Sequence, residues 1–175
     1  MADTQLRRHP ERGHHDRETV DAILDDGFLC HLGFVVDGQP YVIPTLHARV
    51  GDVLYLHGSP ASRMLKELSK GVQVCVTVTH LDGVVLAKSV FNHSVNYRSA
   101  VVIGEARLVT DEAERVHAFD LTVDHLVPGR AATLRPATRK ELAATGLLAV
   151  PLVEASMKRR TGAPADDEAD LDRGR

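Results

Sequence analysis

Residues 28–57 read FLCHLGFVVDGQPYVIPTLHARVGDVLYLH, and this stretch decides the fold. Phe28 to Val36 is an almost continuous apolar run that reaches Asp37-Gly38. That dipeptide is the strongest short hairpin signal available, because both turn positions tolerate a positive φ. Tyr41 to Val50 returns, Gly51-Asp52 supplies a second turn, and Val53 to His57 makes a third strand. Three strands joined by tight turns form an antiparallel meander.

Working outward, the same logic extends the sheet. From Val72 to His80, Val72, Val74, Val76 and Val78 alternate with Gln73, Cys75, Thr77 and Thr79, the pattern of a half-buried strand. Asp82-Gly83 is expected to turn the chain into Val84 to Ala87. Arg98 to Val109 reads as a long strand, with Gly104 as a bulge or point of close approach. Leu147 to Val153 is a last strand, and Pro151 places it near an edge. Four helices are expected. Asp16 caps one with Val20, Ile23 and Leu24 inward and Gly27 ending it. Ser62 to Ser69 carries Met64, Leu65 and Leu68 on one face. Asp111 with Glu114 resembles a capping box before a stripe of Val116, Phe119, Val123 and Leu126. Thr138 and Glu141 repeat the device before a brief helix that Gly146 can end. The sum is a mainly β protein with short helices, six or seven mostly antiparallel strands closed as a small barrel. Such a barrel fills its interior with side chains, so a ligand must lie outside, in a groove or at a subunit interface. That favours a dimer.

The chain of 175 residues fits one domain, expected over 16–162 between an arm at 1–15 and an acidic, disordered tail at 163–175. A net charge of −3 argues against a general nucleic-acid binder. Cys30 and Cys75 sit in apolar strand-like runs and read as small buried hydrophobes. No apolar stretch approaches the roughly 18 residues that cross a bilayer, and Met1 to His15 is polar and basic, unlike a secretory signal. The expectation is a soluble, cytoplasmic protein.

Two segments can carry chemistry. In Leu54 to Leu68, LYLHGSPASRMLKEL, a strand ends at His57 and a helix starts near Ser62 and Arg63. Helix amides, a hydroxyl and a guanidinium together suit a phosphate, although a simple cap and a solvated arginine explain the same letters. Phe91 to Ser99, FNHSVNYRS, is unusually polar between two β runs, and suits a heteroaromatic ligand or a turn-rich surface connection. Ten histidines show no metal-ligand spacing, so no metal site is expected. There is no GxGxxG, P-loop or GxSxG, which sets aside a Rossmann cofactor site, an NTPase and an α/β-hydrolase.

With PYVIPTLHARVGDVLYLHGSPASRMLKEL, VCVTVTHLDGVVLAKSVFNHSVNYRSAVVIGEARLV, HLVPGRAATLRPATRKELAATGLLAVPL and EASMKRRTG in order, the chain resembles the flavin mononucleotide (FMN) binding split barrels of the pyridoxamine 5′-phosphate oxidase superfamily. It is more similar to the nitroimidazole-resistance (Nim-type) branch, and the likeness covers most of residues 20–162. The resemblance implies a dimeric split barrel with FMN at the subunit interface. It implies the flavin ring along Val42, Ile43, Pro44 and Thr45, with His57 and Gly58 beside the ribityl chain and Ser62 and Arg63 on the phosphate. Tyr97, Arg98 and Ser99 would complete the site from the other subunit, and Lys158 and Arg160 would approach across the interface. Met64 replaces the lysine that follows the arginine in pyridoxamine phosphate oxidases, which counts against that activity. A Trp usual near the end of such proteins is also missing, which implies a more open site or a different terminus. The implied function is FMN-dependent oxidation or reduction of a small molecule such as a nitroaromatic or pyridoxal-like compound, with His47 or His93 as candidate proton donors. The alternatives are a flavin carrier without turnover, and a haem- or F420-binding split barrel with His47, His57 or His93 as a haem ligand.

Overall fold

A computed structural model describes residues 12–14 and 16–172. Most of the arm expected at 1–15 lies outside these residues. Among the described residues there are eight strands: β1 Gly13–His14, β2 Leu29–Val36, β3 Gln39–Val50, β4 Val53–Gly58, β5 Val72–Val85, β6 Ser94–Leu108, β7 Gly146–Pro151 and β8 Glu154–Arg160. The helices are α1 Arg17–Asp26, α2 Arg63–Leu68, α3 Glu112–Leu126 and α4 Arg139–Ala144. Every pairing is antiparallel, in the order β1-β8-β6-β5-β2-β3-β4-β7. The pairs Arg107↔Ala149 and Leu108↔Leu148 join β7 back to β6 and close the barrel.

The expected meander is present, with Asp37 at φ 50° and Gly38 at φ 79° in its first turn. Alternation puts Cys30, Leu32 and Phe34, then Val74, Val76 and Val78, inside the barrel. Val20, Ile23 and Leu24 of α1 and Met64, Leu65 and Leu68 of α2 join the same core. Asp16 caps α1 and Ser62 caps α2, each side chain accepting from an amide three residues on. Neither cysteine is paired in a disulfide.

Gly104 explains how one strand serves two neighbours. Along one edge β6 pairs with β8 from Tyr97 to Ile103, then with β7 at Arg107 and Leu108. The barrel splits between them, and there the Pro151 carbonyl oxygen would lie 2.8 Å from a Cβ built on Gly104. A backbone oxygen cannot rotate away. Gly104→Ala is therefore expected to destabilise the fold by about 1–3 kcal/mol, the usual range for overpacking. A urea midpoint equal to wild type would show that the split can widen freely.

Four local expectations need correction. Asp82-Gly83 is not a hairpin turn: β5 runs through it with a register shift between Leu81 and Gly83, a bulge that suits the same residue types. The strand ending in Pro151 is not an edge strand, since β4 pairs along its length and β6 closes on its other side. On α3 the buried residues are Ala118 and Thr122; of the expected stripe Phe119 is half-buried against the same cluster, while Leu126 is 37% exposed. Small side chains lie there because α3 packs closely on the outward-facing Tyr55, Leu147 and Ala149. Finally, the Asp111 cap is half a capping box: Asp111 accepts from the Glu114 amide at 2.8 Å, but the Glu114 carboxylate serves Tyr55 and Arg107 instead. Thr138 and Glu141 do form the full box. In the acidic stretch after β8, Asp166 accepts from the Lys88 amide at 2.8 Å, and residues 168–170 form one 3-10 turn. No helix among the described residues is long and apolar enough to cross a membrane.

Candidate functional site

The site is built where β4 stops short. β3 pairs with β2 from Gln39 to Leu46, but β4 pairs with β3 only from His47 to Val50. The His47 amide donates to Phe28 O at 3.1 Å, so the odd-numbered amides of β3 point toward β2. Even-numbered backbone groups then point to the side that β4 has vacated. Two of them are Pro40 and Pro44, which have no N–H to lose. The open edge therefore presents the Val42 N–H among carbonyl oxygens, and the Pro40 carbonyl already takes the Gln39 side-chain amide at 3.2 Å. Two prolines also prevent another strand from pairing there.

At Gly58 the chain leaves β4 and enters α2 through residues 59–62. Gly58 has no room for a Cβ: Leu65 and Met64 side-chain atoms would lie 2.9 and 3.0 Å away, so α2 folds tightly back beneath the strand end. The Ser59 carbonyl and hydroxyl hold the amides of Ser62 and Ala61. Ser62 Oγ accepts from Leu65 N at 3.2 Å and keeps its own proton to donate. Arg63 is exposed, with its guanidinium carbon 4.7 Å from the centre of the Tyr41 ring, and Tyr41 stacks on Phe34 at 5.5 Å. The fold thus brings together the β3 edge, His57, Gly58, Ser62 and Arg63. Within β3, the Val42 and Pro44 side chains face outward and are exposed, whereas Ile43 and Thr45 face the barrel interior. His57 is half-buried, and burial holds its pKa below the ordinary value.

A second group assembles on the outer face of β6 and β8. Tyr97 pairs with Arg160 and Ser99 with Lys158, and Ser99 Oγ donates to the Lys158 carbonyl at 3.3 Å. Arg160 Nη1 donates to Asn96 Oδ1 at 2.5 Å. Arg98 points to the opposite face, where Asp26 and Asp82 hold its guanidinium at 2.8 and 3.2 Å. It is thereby tied to the end of α1 rather than set beside Tyr97 and Ser99.

The two candidate proton donors separate. His93 is exposed, with Nδ1 2.8 Å from Ser89 O. His47 is only 1% exposed and its Nε2 lies 2.9 Å from Leu24 O, which corrects its assignment. It holds the C-terminal end of α1 and no substrate can reach it. His80 and His125 do the same for Ile23 O and Gly27 O, at 2.9 and 2.6 Å. This set of three was missed because its members are far apart in sequence. Also missed was the outward row Ser156, Val101, Thr77, His31 and Pro44, adjacent residues across five strands. The alternation of Val72 to Val78 had already placed Thr77 on that face, and counting back from the Asp37-Gly38 turn would have added His31. The described residues contain no cluster of three or more metal-ligating side chains. Burial pushes the Cys30 thiol up to about 12, so it is inert.

Comparison with known proteins agrees with this fold. No curated protein matches the chain. The flavocytochrome Anf3 from Azotobacter vinelandii is 42% identical, with a TM-score of 0.88 over 97% of this chain and 79% of that one. A FAD and haem binding protein from Mycobacterium smegmatis is 41% identical, with a TM-score of 0.86 over 91% of this chain and 78% of that one. A 5-nitroimidazole antibiotic resistance protein from Bacteroides thetaiotaomicron shares the fold at 23% identity and a TM-score of 0.70, over 83% of this chain and 85% of that one. The family model described as pyridoxamine 5′-phosphate oxidase matches residues 16–159, and the chain belongs to that flavin-binding split-barrel family.

Proposed function

We propose that the protein is a flavin-dependent redox protein that holds the FMN half of its cofactor in the notch left by β4. The observation that carries this reading is the open β3 edge beside Arg63. A flavin ring edge alternates acceptors with one N–H donor, and the Val42 N–H between carbonyl groups is the complementary pattern. Ser62 and Arg63 would take the phosphate, Arg63 through its planar fork and Ser62 through its free hydroxyl proton. FMN satisfies these contacts by itself. The adenylate of FAD, which the M. smegmatis relative is described as binding, would extend beyond them.

A second copy of the chain would complete the site. Val42 is 67% exposed, Leu29 51% and Val35 55%, so the face of β2 and β3 beside the notch is apolar and uncovered. In a homodimer, Tyr97, Ser99, Lys158 and Arg160 of the partner would meet the cofactor there. The flavin supplies the electron transfer, and the chain's residues bind it, orient it and exclude water. The substrate class is a small molecule that the flavin reduces or oxidises, such as a nitroaromatic or pyridoxal-like compound. The second reading is a flavin carrier without turnover.

The visible spectrum of the purified protein, followed by mass identification of the ligand released on denaturation, tests this directly. FMN or FAD at about one per chain is expected, and bleaching by NADPH or NADH would favour the reductase over the carrier. A colourless protein that takes up neither added flavin would remove the reading.

A further inference from the structure

A cleft on the other side of β4 from the flavin notch carries positive charge without a counter-charge. β4 pairs with β3 on one side and with β7 on the other, where Gly58 meets Gly146. Beside that pair β6 ends at Leu108, and α4 delivers the chain into β7. The space between is a cavity of about 270 Å³ walled by Pro60, Leu108, Val109 and Leu147, with Thr110, Thr145 and Arg115 as its polar lining. An adjoining cavity of about 280 Å³ shares Pro60, Leu108 and Gly146 with it and adds Lys66. No carboxylate lines either one. The cavity lined by Phe119 of α3 differs in this respect, because Arg135 meets Glu141 there at 2.6 Å and Asp120 lines it too.

Arg115 is held in place but not neutralised. Its Nη2 donates to two backbone carbonyls at the end of α4, Leu142 O and, at 3.0 Å, Thr145 O. Nε is buried without a hydrogen-bond partner, and Nη1 makes no hydrogen bond among the described residues. No carboxylate pairs with this guanidinium, whereas Arg49, also half-buried, has Asp21 and Asp25 at 3.1 and 2.5 Å. A charge drawn partly out of water is costly until an opposite charge meets it. The hydroxyls of Thr110 and Thr145 likewise have no protein partner among the described residues and are free to donate. The bidentate fork that favours a phosphate is already taken, since Nη2 serves the carbonyls. What remains is one cationic donor and two hydroxyls against an apolar wall.

We propose that this cleft binds an organic carboxylate with a compact apolar or aromatic body. The carboxylate sits on Arg115 Nη1 and the threonine hydroxyls, and the body lies against Pro60, Leu108 and Val109. The site rests on no part of the flavin reading.

The test is a calorimetric titration of the full chain with benzoate and, in parallel, with its neutral isostere benzamide. Benzoate should bind saturably, and benzamide at least about ten-fold more weakly for want of the charge-assisted hydrogen bond. Arg115→Gln should weaken benzoate by about the same factor. Because that change also loosens the end of α4, Ala143→Phe is the deciding variant. Ala143 lines the cavity from an exposed position, so the larger ring fills the space and leaves Arg115 in place. It should abolish benzoate binding with no fall in the urea midpoint. Arg63→Glu, on the other side of β4, should bind benzoate as wild type does. Equal affinity for benzamide and benzoate would overturn the proposal, since the cavity would then recognise no charge. Wild-type benzoate affinity in Ala143→Phe would overturn it by placing the anion elsewhere, and so would a wild-type protein that takes up no benzoate. Flavin content in Ala143→Phe should match wild type, so failure of this proposal and failure of the flavin reading are separate results.

Discussion

Replacing Arg63 by glutamate is expected to weaken flavin binding by about 100-fold while leaving the fold intact. A charge-assisted hydrogen bond contributes roughly 1.5–3 kcal/mol, and the reversed charge adds repulsion against a phosphate. Stability should change little. Arg63 is exposed at the start of a short helix, and its one described contact is the Tyr41 ring at 4.7 Å. An exposed cation–π contact is worth about 0.5–1 kcal/mol. Arg63→Lys separates charge from geometry: it keeps the cation, loses the fork, and should fall between wild type and Arg63→Glu. Fluorescence quenching of titrated FMN gives the affinities, and urea midpoints report the fold. Unchanged FMN affinity in Arg63→Glu, with the fold intact, would remove the phosphate from α2 and with it the placement of the flavin.

The fold was readable because its signals were local. Asp37-Gly38, the valines of β5, and the caps at Asp16, Ser62 and Thr138 each act within a few residues, and the structure realises each of them. Where a local signal admits two geometries, reading it was ambiguous. Asp82-Gly83 suits a turn or a bulge, and the choice depends on β6 continuing to pair past it as far as Ser94. The helix stripe on α3 was only partly right for a related reason: Phe119 does pack on the barrel, but the close approach to Tyr55 and Ala149 buries Ala118 most deeply and leaves Leu126 exposed. The candidate site was legible as residue types rather than as a shape. Val42, Pro44, Ser62 and Arg63 could be named, yet the open edge exists only because β4 ends at Gly58, opposite the middle of β3. Arg98 shows the converse. Its position suggested a ligand contact, and two carboxylates distant in sequence, Asp26 and Asp82, hold it instead.

Acidification from pH 7 to 5 is expected to destabilise the protein, with His47 as a main cause. The last carbonyls of a helix have no partner within it. Here His47, His80 and His125 supply three donors, from β3, β5 and α3, to Leu24, Ile23 and Gly27. His47 can do this while neutral. Its Nδ1 is buried without a hydrogen-bond partner, and the desolvation of a charged ring there outweighs what the Leu24 and Phe28 backbone and Asp25 return to it. The His125 ring, 5.6 Å away, adds repulsion if it is charged. Burial accordingly holds the His47 pKa below the ordinary 6.5, and burial lowers His57 as well. Below pH 6.5 the unfolded chain takes up protons that the folded chain refuses. Stability is therefore fully present above that value and falls as the pH drops toward the folded pKa. For the buried His47 the loss is at most about 1.4 kcal/mol per pH unit within its window, and for the half-buried His57 solvent screening makes it less. Carboxylates held low, such as Glu114 beside Arg107, lose their contribution only at more acid pH, below the ordinary 4.5. His47→Gln keeps a side-chain N–H for Leu24 O and removes the titrating nitrogen. It should cost some stability at pH 7 and flatten the profile between pH 6.5 and 5 by one histidine's share. Urea midpoints across that range measure both effects. An equally steep profile in His47→Gln would move the acid sensitivity to another group and leave His47 as packing alone.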